Sequence, residues 1–239
     1  MGYILLEGGA EFGGDMAIPD RRALELAGGP NVRISIIPTA AAPDNNHHRA
    51  GQNGVVWFQS LGATNVVVLP LIDQTSANDP EVAAALNKSQ LIYMLGGFTH
   101  YLGQTLLKSA AWQAMLNAFN AGAIIAGSSA GAMVLCEYYY HPAADEVVEG
   151  LGLIDGACII PHFNTFGKSW VKRLTRLLHK TVLIGIDEET GILNDGPHGM
   201  WQIYGKGDVT LHHGQTSQRL TSGKPFDLSY HSKPIINNE

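Results

Sequence analysis

A serine with the surroundings of a nucleophile lies in the segment 126–133, AGSSAGAM, directly after the apolar residues 123–125. The pattern G-x-S-x-G fits this segment only with Ser129 at its centre. In hydrolases such a strand-to-helix turn holds the serine backbone in a strained conformation and projects its hydroxyl beyond the sheet. The turn is so sharp that the neighbouring residues must be small. The amide of Ala130 would then face an oxyanion at the helix N-terminus. Because five small residues also favour close packing, the motif alone leaves a packing turn as the alternative.

A serine nucleophile needs a general base and a second oxyanion donor. Of the ten histidines, His162 is the best candidate base, because it follows a short apolar strand downstream of Ser129. Gly96 and Gly97 end another predicted strand and allow the backbone to turn an amide toward the serine, although a plain tight turn also explains them. His47 and His48 are adjacent on a predicted helix, so their side chains point in different directions and we expect no metal site there.

Short apolar runs alternate with helical periodicity, which is typical of buried parallel strands covered by helices. The predicted strands of this part are 3–9, 32–40, 65–71, 91–97 and 123–129, and the predicted helices are 19–29, 47–63, 80–89 and 99–122. After the serines we predict a strand at 156–163, a helix at 169–180 and further strands in 181–214. The sequence therefore predicts an α/β protein with a three-layer, doubly wound, mainly parallel sheet and a β-rich C-terminal part, in a single domain over 1–239.

Composition argues against some classes of binding partner. The net charge of −6 argues against a nucleic-acid surface, and no apolar run reaches the length that a bilayer span or a signal peptide needs. Cys136 and Cys158 lie in apolar neighbourhoods and are expected to be buried thiols, which fits a reducing compartment. We expect a cytoplasmic protein with no nucleic-acid or membrane partner. The oligomeric state stays open, with a homodimer among the alternatives.

Several segments, taken in order, resemble the serine peptidases that include cyanophycinase and aspartyl dipeptidase (peptidase E). They are GGAEF (8–12), IPTAAA (37–42), LGGFTHYL (95–102), GSSAGAMVL (127–135), GLGLIDGACIIPHF (150–163), GIDEETGIL (185–193) and GKGDVTLHHG (205–214). The resemblance implies a flavodoxin-like fold similar to class I glutamine amidotransferases. It also implies Ser129 as nucleophile, His162 as base and the amides of Gly97 and Ala130 as oxyanion hole. The reaction would be hydrolysis of small peptides or isopeptides, with aspartyl and β-aspartyl bonds as candidates, through an acyl-enzyme without metal or organic cofactor.

The third triad member is less defined. In the relatives an acidic residue between the serine and the histidine orients the imidazole. Here the loop 136–150 contains four carboxylates, Glu137, Asp145, Glu146 and Glu149. We predict Glu146 as the triad acid, with Asp145 as the next candidate, since Glu137 is expected on the helix that follows Ser129 and Glu149 beside the following turn. Glu188 and Glu189 follow a strand, and we expect them to serve a tight turn or a core network.

The sequence departs from the family pattern where substrates bind. Phe98 and Thr99 follow the glycine pair, in place of an acidic residue with Gln or of Asn with Thr. Thr99 keeps a hydroxyl for the substrate, while Phe98 removes one polar group that could hold an aspartyl side chain. Lys168, Lys172 and Arg173 could bind a substrate carboxylate or form the exposed face of a helix.

Two alternatives remain at this point. The first is a non-catalytic ligand-binding or regulatory relative on the same fold, which would show a sealed pocket or His162 turned away from Ser129. The second is an esterase of the α/β-hydrolase type, which shares the serine motif but places its acid and histidine far downstream of the serine.

Overall fold

The computed structural model describes residues 1–228, so the end of the predicted domain at residue 239 lies outside the described residues. The strands are β1 Ile4–Glu7, β2 Arg33–Ile37, β3 Asn65–Val68, β4 Leu91–Met94, β5 Ile124–Ser128, β6 Cys136–His141, β7 Glu146–Glu149, β8 Ile154–Ile160, β9 Val182–Ile186, β10 Thr190–Leu193, β11 Gln202–Gly205, β12 Val209–His213 and β13 Thr216–Leu220. The α-helices are α1 Ala17–Ala27, α2 His47–Ser60, α3 Pro80–Asn87, α4 Thr99–Leu106, α5 Ala110–Asn120, α6 Ala130–Leu135 and α7 Val171–Leu177.

The first sheet has the strand order β11-β10-β1-β5-β4-β2-β3. Its strands β1 to β5 run parallel, while β10 and β11 are antiparallel additions beside β1. Successive residues face opposite sides of the sheet, so Leu5 packs with α1 and α2, and Leu6 packs with α3, α5 and α6. The predicted doubly wound, mainly parallel sheet with helices on both faces is confirmed.

The second sheet has the order β13-β12-β9-β8-β6-β7, with β6, β8 and β9 parallel. The predicted β-rich C-terminal part is therefore divided, because β10 and β11 join the first sheet and the strands on either side join the second. The segment 136–150, predicted as a loop, is largely the hairpin β6–β7, in which Tyr140 pairs with Val147. Aromatic and β-branched side chains suit a half-buried pleated surface, which explains the hairpin.

The strand order decides which loops meet. β5 lies between β1 and β4, so the loops that follow these three strands share one rim of the first sheet. In the second sheet β8 and β9 are parallel neighbours, with Ile160 paired to Gly185, and their carboxyl ends lie side by side. Residues just beyond these five strand ends are brought together.

Both cysteines are free and fully buried, as predicted. Burial raises the pKa of the Cys158 thiol to about 12 and that of Cys136 well above its usual range. The thiols therefore pack as small apolar groups. Within residues 1–228, no helix has the length and apolarity that crossing a membrane demands.

Candidate active site

Ser129 forms the turn between β5 and α6 with φ 47° and ψ −106°. A residue with a side chain rarely adopts this conformation, at a cost of about 1–3 kcal/mol. The turn is held because the Ser129 amide donates to the Glu7 carbonyl at 3.0 Å and its carbonyl accepts from the Met133 amide at 2.9 Å. A Cβ on Gly131 would lie 2.3 Å from the Met94 carbonyl oxygen, so only glycine fits there. The sharp strand-to-helix turn predicted around Ser129 is present.

The His162 imidazole links the serine to a carboxylate. Its Nε2 lies 3.0 Å from the Ser129 hydroxyl, and its Nδ1 lies 2.7 Å from Oε1 of Glu188. A carboxylate at Nδ1 favours the tautomer with its proton on that nitrogen, which leaves the Nε2 lone pair facing the hydroxyl. These contacts have the geometry that a serine, histidine and carboxylate triad requires.

The position of the imidazole is fixed by the loop after β1. The His162 amide donates to the Gly8 carbonyl at 2.7 Å. A Cβ on Gly9, which has φ 111°, would lie 2.2 Å from Cε1 of His162, so glycine is required for the ring to pass. On another side the ring stacks on Phe166, with centroids 4.9 Å apart. The segment GGAEF thus makes room for the histidine.

The prediction of Glu146 as the acid beside His162 is contradicted by its position. Glu146 begins β7, is exposed and pairs with His141 in the hairpin. Asp145 lies in the hairpin turn, where hydrogen bonds from the Tyr140 hydroxyl at 2.6 Å and from Arg173 at 3.0 Å lower its pKa. The hairpin turns these carboxylates away from the imidazole.

The other two carboxylates of the segment are also elsewhere. Glu137 lies on β6, not on the helix α6 that follows Ser129, and accepts a hydrogen bond from the Gly156 amide at 2.8 Å. Glu149 is an exposed residue at the end of β7. Neither carboxylate reaches His162.

Glu188 was expected to serve a turn or core network and instead contacts the imidazole. It follows β9 as His162 follows β8, so the parallel pairing of these strands was the signal that sequence reasoning missed. The Asn164 side chain accepts from the Glu188 amide at 3.0 Å and holds the loop. Glu189 does serve the turn, where its carboxylate accepts from the Asp15 amide at 3.1 Å and has a lowered pKa.

The two predicted oxyanion donors lie beside Ser129. Ala130 is the first residue of α6, so its amide has no acceptor within the helix. Gly97 has φ 136°, and a Cβ there would lie 2.3 Å from the Ala40 carbonyl oxygen. In the described part of the chain its amide forms no hydrogen bond.

Glu11, which the sequence reasoning did not assign, fixes the distance between these two loops. Its carboxylate accepts from the Gly96 amide at 3.1 Å and from the Ser128 hydroxyl at 2.8 Å. Ser128 is fully buried, which leaves Ser129 as the serine at the surface of the turn.

Ser129, His162, Gly97 and Thr99 line one cavity of about 640 Å³. Thr99, the predicted substrate contact, is the first residue of α4, and its hydroxyl lies 3.5 Å from the Met133 sulfur. The basic residues that follow His162 lie elsewhere. Lys168 and Lys172 line a different cavity, and Arg173 pairs with Asp145.

Comparisons with known proteins identify the family of the chain. Residues 4–199 match Peptidase family S51. The chain belongs to this family. It is 28% identical over 220 residues to a cyanophycinase of Geminocystis herdmanii, covering 85% of this chain and 78% of that protein. It is 26% identical over 230 residues to a cyanophycinase of Thermosynechococcus vestitus, covering 88% of this chain and 67% of that protein.

Solved structures extend the likeness. A peptidase from an acI-B1 actinobacterium has a TM-score of 0.85 at 30% identity, covering 95% of this chain and 97% of that one. A Listeria monocytogenes protein with a TM-score of 0.61 at 21% identity, covering 92% of this chain and 100% of that one, shows the fold alone. The S51 chain is a serine hydrolase of the peptidase type, and the predicted resemblance is confirmed.

Beneath the serine turn this S51 peptidase buries two carboxyls that face each other. Glu7 of β1 and Asp20 of α1 are both fully buried. Glu7 accepts a hydrogen bond from the Tyr93 hydroxyl, and Asp20 accepts one from the Trp57 indole at 2.7 Å. Burial raises the pKa of Asp20 to about 7 and that of Glu7 well above its usual range. Burial therefore favours the protonated, uncharged form of these carboxyls.

This pair predicts a stability that falls as pH rises. Asp20 binds its proton more tightly in the folded protein than in the unfolded one. This proton binding adds to the free energy of unfolding in full below the ordinary pKa of 3.8, and the added stability is lost as pH rises to about 7. Asp20→Asn keeps the acceptor for Trp57 and carries no charge. We expect it to flatten this fall and to raise the free energy of unfolding at pH 8 by about 2 kcal/mol.

Urea denaturation of wild type and Asp20→Asn at pH 5 and pH 8 measures the effect. Glu149→Gln, which changes an exposed carboxylate on β7, serves as the control and should keep the wild-type pH dependence. An undiminished fall between pH 5 and pH 8 in Asp20→Asn would show that the buried pair is not its cause.

Proposed function

We propose that this S51 peptidase hydrolyses small peptides or isopeptides through an acyl-enzyme on Ser129, with His162 as general base and Glu188 as the orienting acid. One observation carries the proposal: a single imidazole lies 3.0 Å from the serine hydroxyl and 2.7 Å from the carboxylate. Both distances are within the reach that proton transfer requires.

Acylation begins when the Ser129 oxygen attacks the scissile carbonyl carbon while its proton passes to Nε2 of His162. The carbonyl oxygen becomes an oxyanion, which the amides of Gly97 and Ala130 stabilise. Glu188 accepts the Nδ1 hydrogen bond and stabilises the imidazolium without taking its proton. The C–N bond then breaks, and the leaving amine takes the proton from Nε2.

Deacylation repeats these steps with water. His162 takes a proton from a water molecule, whose oxygen attacks the ester carbonyl, and the same two amides hold the second oxyanion. Collapse of this intermediate breaks the bond to the Ser129 oxygen, which recovers its proton from Nε2. The enzyme returns to its starting state with the carboxylic acid product released.

The non-catalytic alternative needs a sealed pocket or a histidine turned away from the serine. His162 instead faces Ser129, and both line a cavity that also contains Gly97 and Thr99. The esterase alternative places its acid and histidine far downstream of the serine, whereas His162 follows Ser129 by only 33 positions, just after the end of β8. Both features support the peptidase.

Covalent labelling tests the nucleophile directly. A fluorophosphonate should label the wild-type enzyme, and Ser129→Ala should lose the label completely because, in the described residues, no other hydroxyl bonds to the imidazole ring of His162. Ser128→Ala is the matched control, since it removes the neighbouring hydroxyl, which bonds to Glu11. Mass spectrometry of both variants locates the label. Undiminished labelling of Ser129→Ala would rule out Ser129 as the nucleophile.

A further inference from the structure

The cavity that contains Ser129 has no fixed charge for an acidic substrate. Among the described residues that line it there is no Lys, Arg, Asp or Glu. An aspartyl side chain in this cavity would lose its hydration without gaining a partner of permanent positive charge among these residues, which is unfavourable. The nearest basic candidates after His162 lie outside it, as Arg173 pairs with Asp145 and Lys168 lines a different cavity.

Large apolar side chains border the cavity and are left exposed. Phe98 is 51% exposed and Phe166 is 52% exposed, although aromatic rings of this size gain free energy when buried. Met133 and Trp170 line the cavity with them. A substrate side chain of matching chemistry would cover these surfaces.

Two further rings form a flat wall of the same cavity. His100 of α4 and His141 of β6 stack with centroids 4.6 Å apart and an angle of 2° between their planes. The Tyr139 hydroxyl lies 3.1 Å from Nδ1 of His100 and fixes that ring. A further aromatic ring can pack against this pair in an offset or edge-to-face arrangement.

We propose that the acyl residue of the substrate carries an uncharged aromatic or large aliphatic side chain, and not the carboxyl of an aspartyl or β-aspartyl group. This inference rests on the proposed function. The leaving amine takes its proton from His162 and departs on that side, while the Gly97 amide holds the carbonyl oxygen. Phe98 and Thr99 directly follow Gly97 and line the same cavity, so they are placed to contact the acyl side chain.

Fluorogenic N-acetyl-aminoacyl amidocoumarins with Phe, Leu, Ala, Asp and Lys test the preference on the intact enzyme. We expect kcat/KM for Phe and Leu to exceed that for Asp by about 10- to 100-fold. Fluorophosphonate labelling is measured on the same preparation. If the labelled enzyme cleaves the Asp substrate as well as the Phe substrate, or cleaves neither the Phe nor the Leu substrate, this inference alone is overturned. An enzyme that neither labels nor cleaves overturns the proposed function and this inference with it.

Two variants locate the preference in the cavity. Phe98→Ala should lower kcat/KM for the Phe substrate about tenfold and that for the Ala substrate much less. Gln104→Arg places a cation in the cavity and should improve Asp relative to Phe about tenfold. Leu107→Ala removes an exposed apolar side chain just beyond α4, outside the cavity, and should leave the ratio unchanged. Equal effects of Phe98→Ala on both substrates would contradict the assignment.

Discussion

Replacing His162 with alanine is expected to lower kcat by about four to six orders of magnitude, with KM changed only a few fold. The imidazole is placed to remove the proton of Ser129 and to return a proton to the leaving amine, so both halves of the reaction lose their proton carrier. Its Nε2 lies 3.0 Å from the hydroxyl. Because the other binding surfaces of the cavity stay in place, the loss should fall on kcat.

Steady-state kinetics with a cleaved amidocoumarin measure the change. His179→Ala is the matched control, since His179 is exposed and contacts the Thr175 carbonyl at the end of α7. Added imidazole should restore part of the activity of His162→Ala, which a purely structural defect would not allow. A loss below tenfold, or an equal loss in His179→Ala, would remove His162 from the role of base.

The positions of Ser129 and His162 were predictable because each depends on a local pattern. Ser129 follows a continuous apolar strand and is flanked by the small residues that a sharp turn needs. His162 likewise follows the apolar end of β8. In a parallel sheet such residues lie at the carboxyl ends of strands, where sites form, so a correct assignment of strands was sufficient.

The carboxylate that contacts His162 was not predictable in the same way because its position depends on which strands are neighbours. Chain order places Glu146 between the serine and the histidine, but β6 and β7 close into a hairpin that exposes it. Glu188 becomes adjacent to His162 only because β9 pairs with β8, a contact between strands from different parts of the chain. Hydrophobic periodicity identifies strands and does not specify their order.

The division of the C-terminal strands has the same cause. β9 and β10 are separated by only three residues, 187–189, yet they belong to different sheets. The turn between them carries Glu188 toward His162 and Glu189 toward the Asp15 amide. A short segment that crosses from one sheet to the other therefore supplies the carboxylate, and no local pattern marks that crossing.

Glu188→Gln is expected to lower kcat by about three to four orders of magnitude with little change in KM. Glutamine has nearly the same shape, so the loop that Asn164 holds should remain in place. The amide group can donate to Nδ1 of His162, and the ring proton then moves to Nε2, where it faces the Ser129 hydroxyl. In that tautomer the imidazole cannot accept the serine proton, and a neutral amide also stabilises the imidazolium less.

The same substitution at Glu146 gives the decisive comparison, since Glu146 is the carboxylate that chain order favours and lies exposed at the start of β7. Glu146→Gln should keep kcat within about twofold of wild type, because surface changes away from the reacting atoms have small effects. Circular dichroism on both variants separates lost catalysis from lost structure. If Glu146→Gln were inactive and Glu188→Gln active, the hairpin would have to rearrange during turnover, and the acid would be Glu146. Because Glu188 already lies 2.7 Å from the imidazole, no such rearrangement is needed.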